Sequence, residues 1–374
     1  MTAIGGIFNR FGEHCDTEAL ARMSKAMRRR STDLRSALIL DGCGFIWGSD
    51  ARHGVLAESE NVLLLCDGEV SIAPTGEGAR YFGESEAGLC LSVYEKYGLS
   101  AREYLWGEYS YAAYNRAGGE LVLARDRDRS RPLYYAQSAT AVGFASEIKG
   151  ILAFLGEARV SRDMLCAHIF SRYGEIRSSD IYTQINDVGE SVVISKNGVT
   201  DMRGLEACDD TEGHQVDREY IGGALVCPDE EGMGKMLSEI LYAFDIPQFD
   251  CLMPSFLRDA KKAKDSLCGV VDGALCFDLS YAAERRDRLS VIVGYRPNCI
   301  PTGRYNVGEC DLKKMEKLLR TLFFQVDRAK LEYIFGMDIE AEIMKIENTA
   351  RRVRALGMAI QTEKWYDGYR IILE

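Results

Sequence analysis

The sequence predicts a two-part chain of mixed α and β class, rich in strands to about residue 205 and more helical beyond it. Three observations carry this. The 374 residues suffice for about two or three domains. A hairpin and a second strand pair follow each other closely between Tyr109 and Ala145. The polar run Cys208-Asp209-Asp210-Thr211-Glu212-Gly213 then reads as a linker, which divides the chain into residues 1–205 and 206–374.

In chain order, Thr2 to Phe8 reads as a short strand of small and apolar residues. Asp16 or Thr17 can cap a helix reaching about Arg30, with Leu20, Met23 and Met27 along one face. Val62 to Cys66 is a continuous apolar run, the pattern of a strand buried on both faces. Tyr109 to Asn115, the turn Ala117-Gly118-Gly119 and Leu121 to Arg125 form the hairpin. After Pro132, Leu133 to Ala136 and Ala141 to Ala145 form the second pair, and Glu147 to Leu155 reads as an amphipathic helix. Farther on, Ile339, Ile343, Ile346, Ala350 and Val353 recur in steps of four and three. They predict one helix packing on its own domain, since the seam is too short for a coiled coil.

Hydrophobic residues at 47% and charged residues at 28% are the balance of a globular protein. The net charge of −11 argues against nucleic acid or an anionic membrane surface as partner. The start lacks the apolar core of a signal peptide, and no apolar run approaches the roughly 20 residues of a membrane span. A cytoplasmic location is therefore expected. The twelve cysteines are scattered without a C-x-x-C pair, which favours free thiols over disulfides. Cys268 and Cys276 lack partners at zinc-finger spacing, so no metal site is read.

Four motifs resemble one family. Thr2-Ala3-Ile4-Gly5-Gly6-Ile7-Phe8 is similar to the Cys-Gly-Ile-x-Gly-Ile-Phe start of class II glutamine amidotransferases. Leu121-Val122-Leu123-Ala124-Arg125-Asp126-Arg127, with Arg131-Pro132-Leu133-Tyr134-Tyr135, resembles the asparagine synthetase pattern L-A-R-D-R-x-x-x-K-P-L-Y-Y. Phe144-Ala145-Ser146-Glu147-Ile148-Lys149 continues it in register, and Gly107-Glu108-Tyr109-Ser110-Tyr111-Ala112 precedes it where the family has G-x-F-A-F-A. The chain thus resembles the glutamine-dependent asparagine synthetases, as a degenerate member. The resemblance implies an amino-terminal α-β-β-α sandwich of the N-terminal-nucleophile hydrolase type, followed by a reduced α/β synthetase-like domain.

The family hydrolyses glutamine with an N-terminal cysteine whose own amine is the base. Thr2 stands at that position here. An amine-activated threonine is a chemically sound nucleophile, though poorer than a thiolate near neutral pH. The alternative, a β-branched strand residue without catalytic role, weighs more heavily given the other losses. The family's N-G-E strand, which supplies the oxyanion hole and a substrate-binding Glu, reads here Asp67-Gly68-Glu69. Asp67 replaces an amide donor with a carboxylate, which opposes a developing oxyanion. Glu84 stands for the aspartate that holds the glutamine α-amine, and Arg52 for the carboxylate-binding arginine. The charge run Arg125 to Arg131 reads as a salt-bridged connection more readily than as a phosphate site. Arg129 replaces a family glycine, so a different turn is expected. His168 and His214, without matched partners, read as structural or solvated.

In the second half, Phe244-Asp245-Ile246-Pro247 with Pro254-Ser255-Phe256-Leu257 resembles the family's F-D-E-P-F-x-x-P-S-x-x-P-T-Y-L. Its S-G-G-L-D-S-S pyrophosphate loop is missing, and Gly222 and Gly223 are the nearest remnant. Asp272-Gly273-Ala274 continues with Leu275-Cys276 where the family has magnesium-binding carboxylates. ATP and magnesium are expected only if synthetase activity is retained. The expected function is a non-catalytic binding or regulatory relative, a pseudoenzyme. Glutamine or another small amide is its expected ligand, and a homodimer or an intact homologue its expected partner. The alternatives are an amide hydrolase or glutaminase using Thr2, and glutamine-hydrolysing asparagine synthesis.

Overall fold

In a computed structural model of the chain, the residues described are 1–12, 14–31, 36–40, 42–48, 54–72, 85–170, 178–202, 226–266, 287–293 and 308–374. They form two compact units, one drawn from Met1–Gly156 and Gln184–Gly213, the other from Glu157–Thr183 and His214–Glu374.

The first unit holds two antiparallel sheets. One contains β1 (Ala3–Asn9), β2 (Ser36–Leu40), β3 (Cys43–Gly48), β8 (Tyr134–Gln137), β9 (Ala141–Ala145) and β11 (Asn186–Asp187), in the order β11-β8-β9-β1-β3-β2. The other contains β4 (Leu56–Glu58), β5 (Val62–Ile72), β6 (Leu105–Asn115), β7 (Glu120–Arg125), β12 (Ser191–Ser195) and β13 (Gly198–Met202), in the order β13-β12-β7-β6-β5-β4. Helices α1 (Thr17–Met27) and α3 (Ile148–Leu155) pack together on the first sheet, and α2 (Glu86–Tyr97) packs on β5 of the second. This is the α-β-β-α sandwich expected from the sequence.

The period of two along each strand explains the layering. In β5, Leu63 and Leu65 enter the core between the sheets with Ile4, Phe45, Leu123 and Phe144. Val62, Leu64 and Cys66, on the opposite face, meet α2 through Ala87, Cys90 and Val93. A strand covered on both sides needs no polar face, so its sequence is uniformly apolar until Asp67. Helix α1 begins where the sequence places it, with the Asp16 carboxylate accepting from Ala19 N, and it buries Leu20, Met23 and Met27. It stops at Met27, three residues short of the expected Arg30.

The second unit is mainly helical. It contains α4 (Arg162–Phe170), a single turn α5 (Ser178–Ile181), α6 (Glu230–Phe244), α7 (Met253–Ser266), α8 (Glu309–Phe323), α9 (Arg328–Phe335), α10 (Ile339–Met344) and α11 (Thr349–Gly368). Its described strands, β10 (Ala158–Val160) and β14 (Ile371–Leu373), pair in parallel. The single helix expected across residues 339–353 is two helices. Asn348 breaks it, its side chain accepting from Arg351 N as the cap of α11. His168 is buried with Nε2 3.0 Å from the Pro247 carbonyl. His214 lies outside the described residues. No helix among those described is long and apolar enough to cross a membrane.

Candidate active site

Thr2 lies just before β1, fully inside the first unit, with 2% of its surface exposed. Its hydroxyl donates to Asp67 Oδ1 at 2.5 Å. Asp67 is entirely buried. Pairing of β5 with β6 sets Asp67 opposite Ser110 and Gly68 opposite Tyr109. Three further groups converge on the same carboxylate. Arg30 Nη2 reaches Oδ2 at 3.0 Å, Ser146 Oγ donates to Oδ2 at 2.8 Å, and Arg131 Nη1 stands 3.4 Å from Oδ1. Arg30 also donates through Nε to the Thr2 carbonyl at 3.0 Å, and Ile4 N donates to Ser146 Oγ at 3.1 Å.

An isolated carboxylate inside a protein would be very costly, and the two guanidiniums with two hydroxyls offset that cost. The arrangement also limits what the Thr2 hydroxyl can do. The Thr2 hydroxyl proton is committed to Asp67. The Asp67 carboxylate acts only as an acceptor in these contacts and supplies no hydrogen-bond donor.

The segment 125–131 supplies Arg131 to this cluster and is held by buried contacts of its own. Asp126 is buried and accepts from the backbone N–H groups of Tyr109, Ser130 and Arg131 at 3.0 to 3.3 Å. Burial pushes its carboxyl above the ordinary carboxylate range, partly offset by the Ser130 N–H and the Arg125 guanidinium. Arg125 pairs with Asp187 at 2.6 Å and donates to the Val188 carbonyl at 3.2 Å. Arg129 takes φ 52°, the left-handed conformation that glycine favours, at a cost of about 1–2 kcal/mol.

Of the residues singled out in the sequence, Thr2, Asp67 and Gly68 come together. Glu69, next along β5, points to solvent. Arg52, Glu84, Gly222, Gly223, Asp272 and Gly273 lie outside the described residues. Arg30, Arg131 and Ser146 escaped the sequence reading as partners of Asp67. The available signal was Asp67 itself, a charge ending the apolar run Val62 to Cys66, which demands compensation from somewhere.

Residues 68–203 match a family model described as a glutamine amidotransferase domain. That stretch is similar to glutamine amidotransferase domains. Among curated proteins, the chain is 25% identical over 182 residues to a putative glutamine-hydrolyzing asparagine synthetase of Methanocaldococcus jannaschii, covering 41% of this chain and 35% of that protein. It is 32% identical over 90 residues to the amidase chry2 of Gibberella zeae, covering 24% and 13%. The chain therefore spans about a third or less of the length of these relatives. A solved glutamine phosphoribosylpyrophosphate amidotransferase from Bacillus subtilis overlaps at 14% identity and a TM-score of 0.36, covering 54% of this chain and 49% of that one. That overlap is too loose to bear on the site.

Proposed function

We propose that the amidotransferase domain of this protein does not hydrolyse glutamine, and that the protein acts as a binding or regulatory relative of the asparagine synthetases. The observation that carries this reading is the Thr2–Asp67 contact: the side chain at the nucleophile position is buried and tied to a carboxylate flanked by Arg30 and Arg131. A small amide such as glutamine remains the ligand class that the domain suggests, and a second copy or an intact homologue the partner. Loss of the pyrophosphate loop from the sequence supports extending the proposal to the second half, without adenylation of aspartate and without ATP or magnesium.

The 2.5 Å contact also favours a second reading, in which Asp67 takes the Thr2 proton as a general base for amide hydrolysis. The same carboxylate already accepts from Arg30, Arg131 and Ser146, so its oxygens are engaged, which weighs against it. The deciding experiment incubates Met-processed protein with glutamine and follows glutamate release, beside Thr2→Ala. No release from either is expected. Turnover that disappears in Thr2→Ala would establish Thr2 as a working nucleophile and overturn the proposal.

A further inference from the structure

The surroundings of Asp67 have the composition of an anion-binding site. Four groups from four separate segments aim at one carboxylate: Thr2 ahead of β1, Arg30 after α1, Arg131 between β7 and β8, and Ser146 after β9. The guanidiniums are themselves buried, with side-chain exposures of 0% for Arg30 and 6% for Arg131. Three of these groups have anchors that do not involve Asp67. Arg30 Nε holds the Thr2 carbonyl, Arg131 Nε donates to the Glu108 carbonyl at 3.4 Å, and Ser146 Oγ is fixed by Ile4 N. A donor set pinned in place independently of its acceptor is a preorganised cradle. Two cationic forks with two hydroxyls match the lone pairs of a carboxylate.

We infer that this end of the sandwich is a carboxylate-binding cradle whose resident ligand is the side chain of Asp67, so that the site is occupied from within. A small monocarboxylate enters it once that side chain is removed. The inference deepens the reading above by naming what fills the nucleophile centre. It rests on that reading only in assigning Thr2 to the nucleophile position; the cradle itself stands on the geometry.

The test is chemical rescue. Asp67→Ala deletes a group the size of formate and leaves the four donors facing a vacancy. Thermal unfolding of the full chain is followed in sodium formate and in sodium chloride at equal ionic strength, with wild type in parallel. The variant is expected to melt below wild type in chloride and to regain part of the lost midpoint in formate, saturating with concentration. Wild type, already filled, should melt alike in both salts. Asp67→Asn, which keeps the volume occupied, should also be indifferent to formate. A midpoint of Asp67→Ala that is equal in the two salts overturns the cradle. If the alanine variant does not fold unaided, its refolding yield is compared in the two salts, and equal yields overturn the inference as well. Glutamate release is an independent readout. Turnover would sink the non-hydrolytic reading and leave the cradle standing, whereas formate-insensitivity would do the reverse.

Discussion

At the scale of single residues, the centre of the first unit is governed by charge pairing. Asp67→Asn removes a charge from between buried guanidiniums while keeping its shape. The cost should approach that of breaking a buried ion pair, about 3–5 kcal/mol, read from urea unfolding midpoints. A cost under about 1 kcal/mol would mean that the Arg30–Asp67 pair contributes little. Asp126 makes a pH prediction. Burial raises its folded pKa above that of the unfolded chain. The stability it contributes is therefore fully present below the unfolded value and fades as pH rises through the raised folded one. The stability difference between wild type and Asp126→Asn should accordingly fall from acid toward neutral pH in urea titrations. A rise instead would show that the N–H groups of Tyr109, Ser130 and Arg131 outweigh desolvation.

At the scale of elements, the close pairing of β5 with β6 depends on two glycines. Gly68 sits at φ 127° and Gly107 at φ 119°, both in the region that side chains avoid. A Cβ on Gly68 would fall 2.0 Å from the Glu108 carbonyl oxygen, and one on Gly107 would fall 2.2 Å from that of Glu69. Backbone cannot give way as a flexible side chain does. Gly68→Ala should therefore cost about 2–4 kcal/mol from strain and overpacking together, measured by denaturant unfolding. Because Gly68 follows Asp67 directly, its substitution should also disturb the Thr2 contact. In the second unit, α11 shows why an amphipathic seam misleads. Residues 353–362 are buried nearly all round, Gly357 lies against the Phe249 ring, and Gln361 bridges the Leu237 carbonyl and Gln248 N. A helix covered on most sides has no single apolar stripe to read.

At the scale of the whole molecule, the cysteines offer a direct probe of packing. The eight described cysteines are free thiols. Cys43, Cys66 and Cys90 are buried, whereas Cys227 and Cys310 are exposed. The Cys66 and Cys90 sulfurs lie 3.7 Å apart, and that hydrogen bond together with burial pushes the Cys66 thiol well up. The thiolate is the reactive form. Iodoacetamide on the native protein should label Cys227 and Cys310 and leave Cys43, Cys66 and Cys90 untouched until denaturant is added, as read by peptide mass spectrometry. Native labelling of Cys66 would show that α2 does not close over β5 as described.

The sequence by itself determined the features set by neighbouring residues. The doubly buried run Val62 to Cys66, a cap of α1 at Asp16 or Thr17, the hairpin from Tyr109 to Arg125 and the family likeness along it were all legible. Each depends on side-chain period, capping chemistry or turn residues within a few positions. What only the tertiary structure decided is which groups neutralise Asp67. Its partners are distant in the chain, separated by 37 residues for Arg30, 64 for Arg131, 65 for Thr2 and 79 for Ser146. No local pattern encodes such meetings, because a charge–charge or hydroxyl contact depends on distance in space. That distance is set when the two sheets close on their shared core.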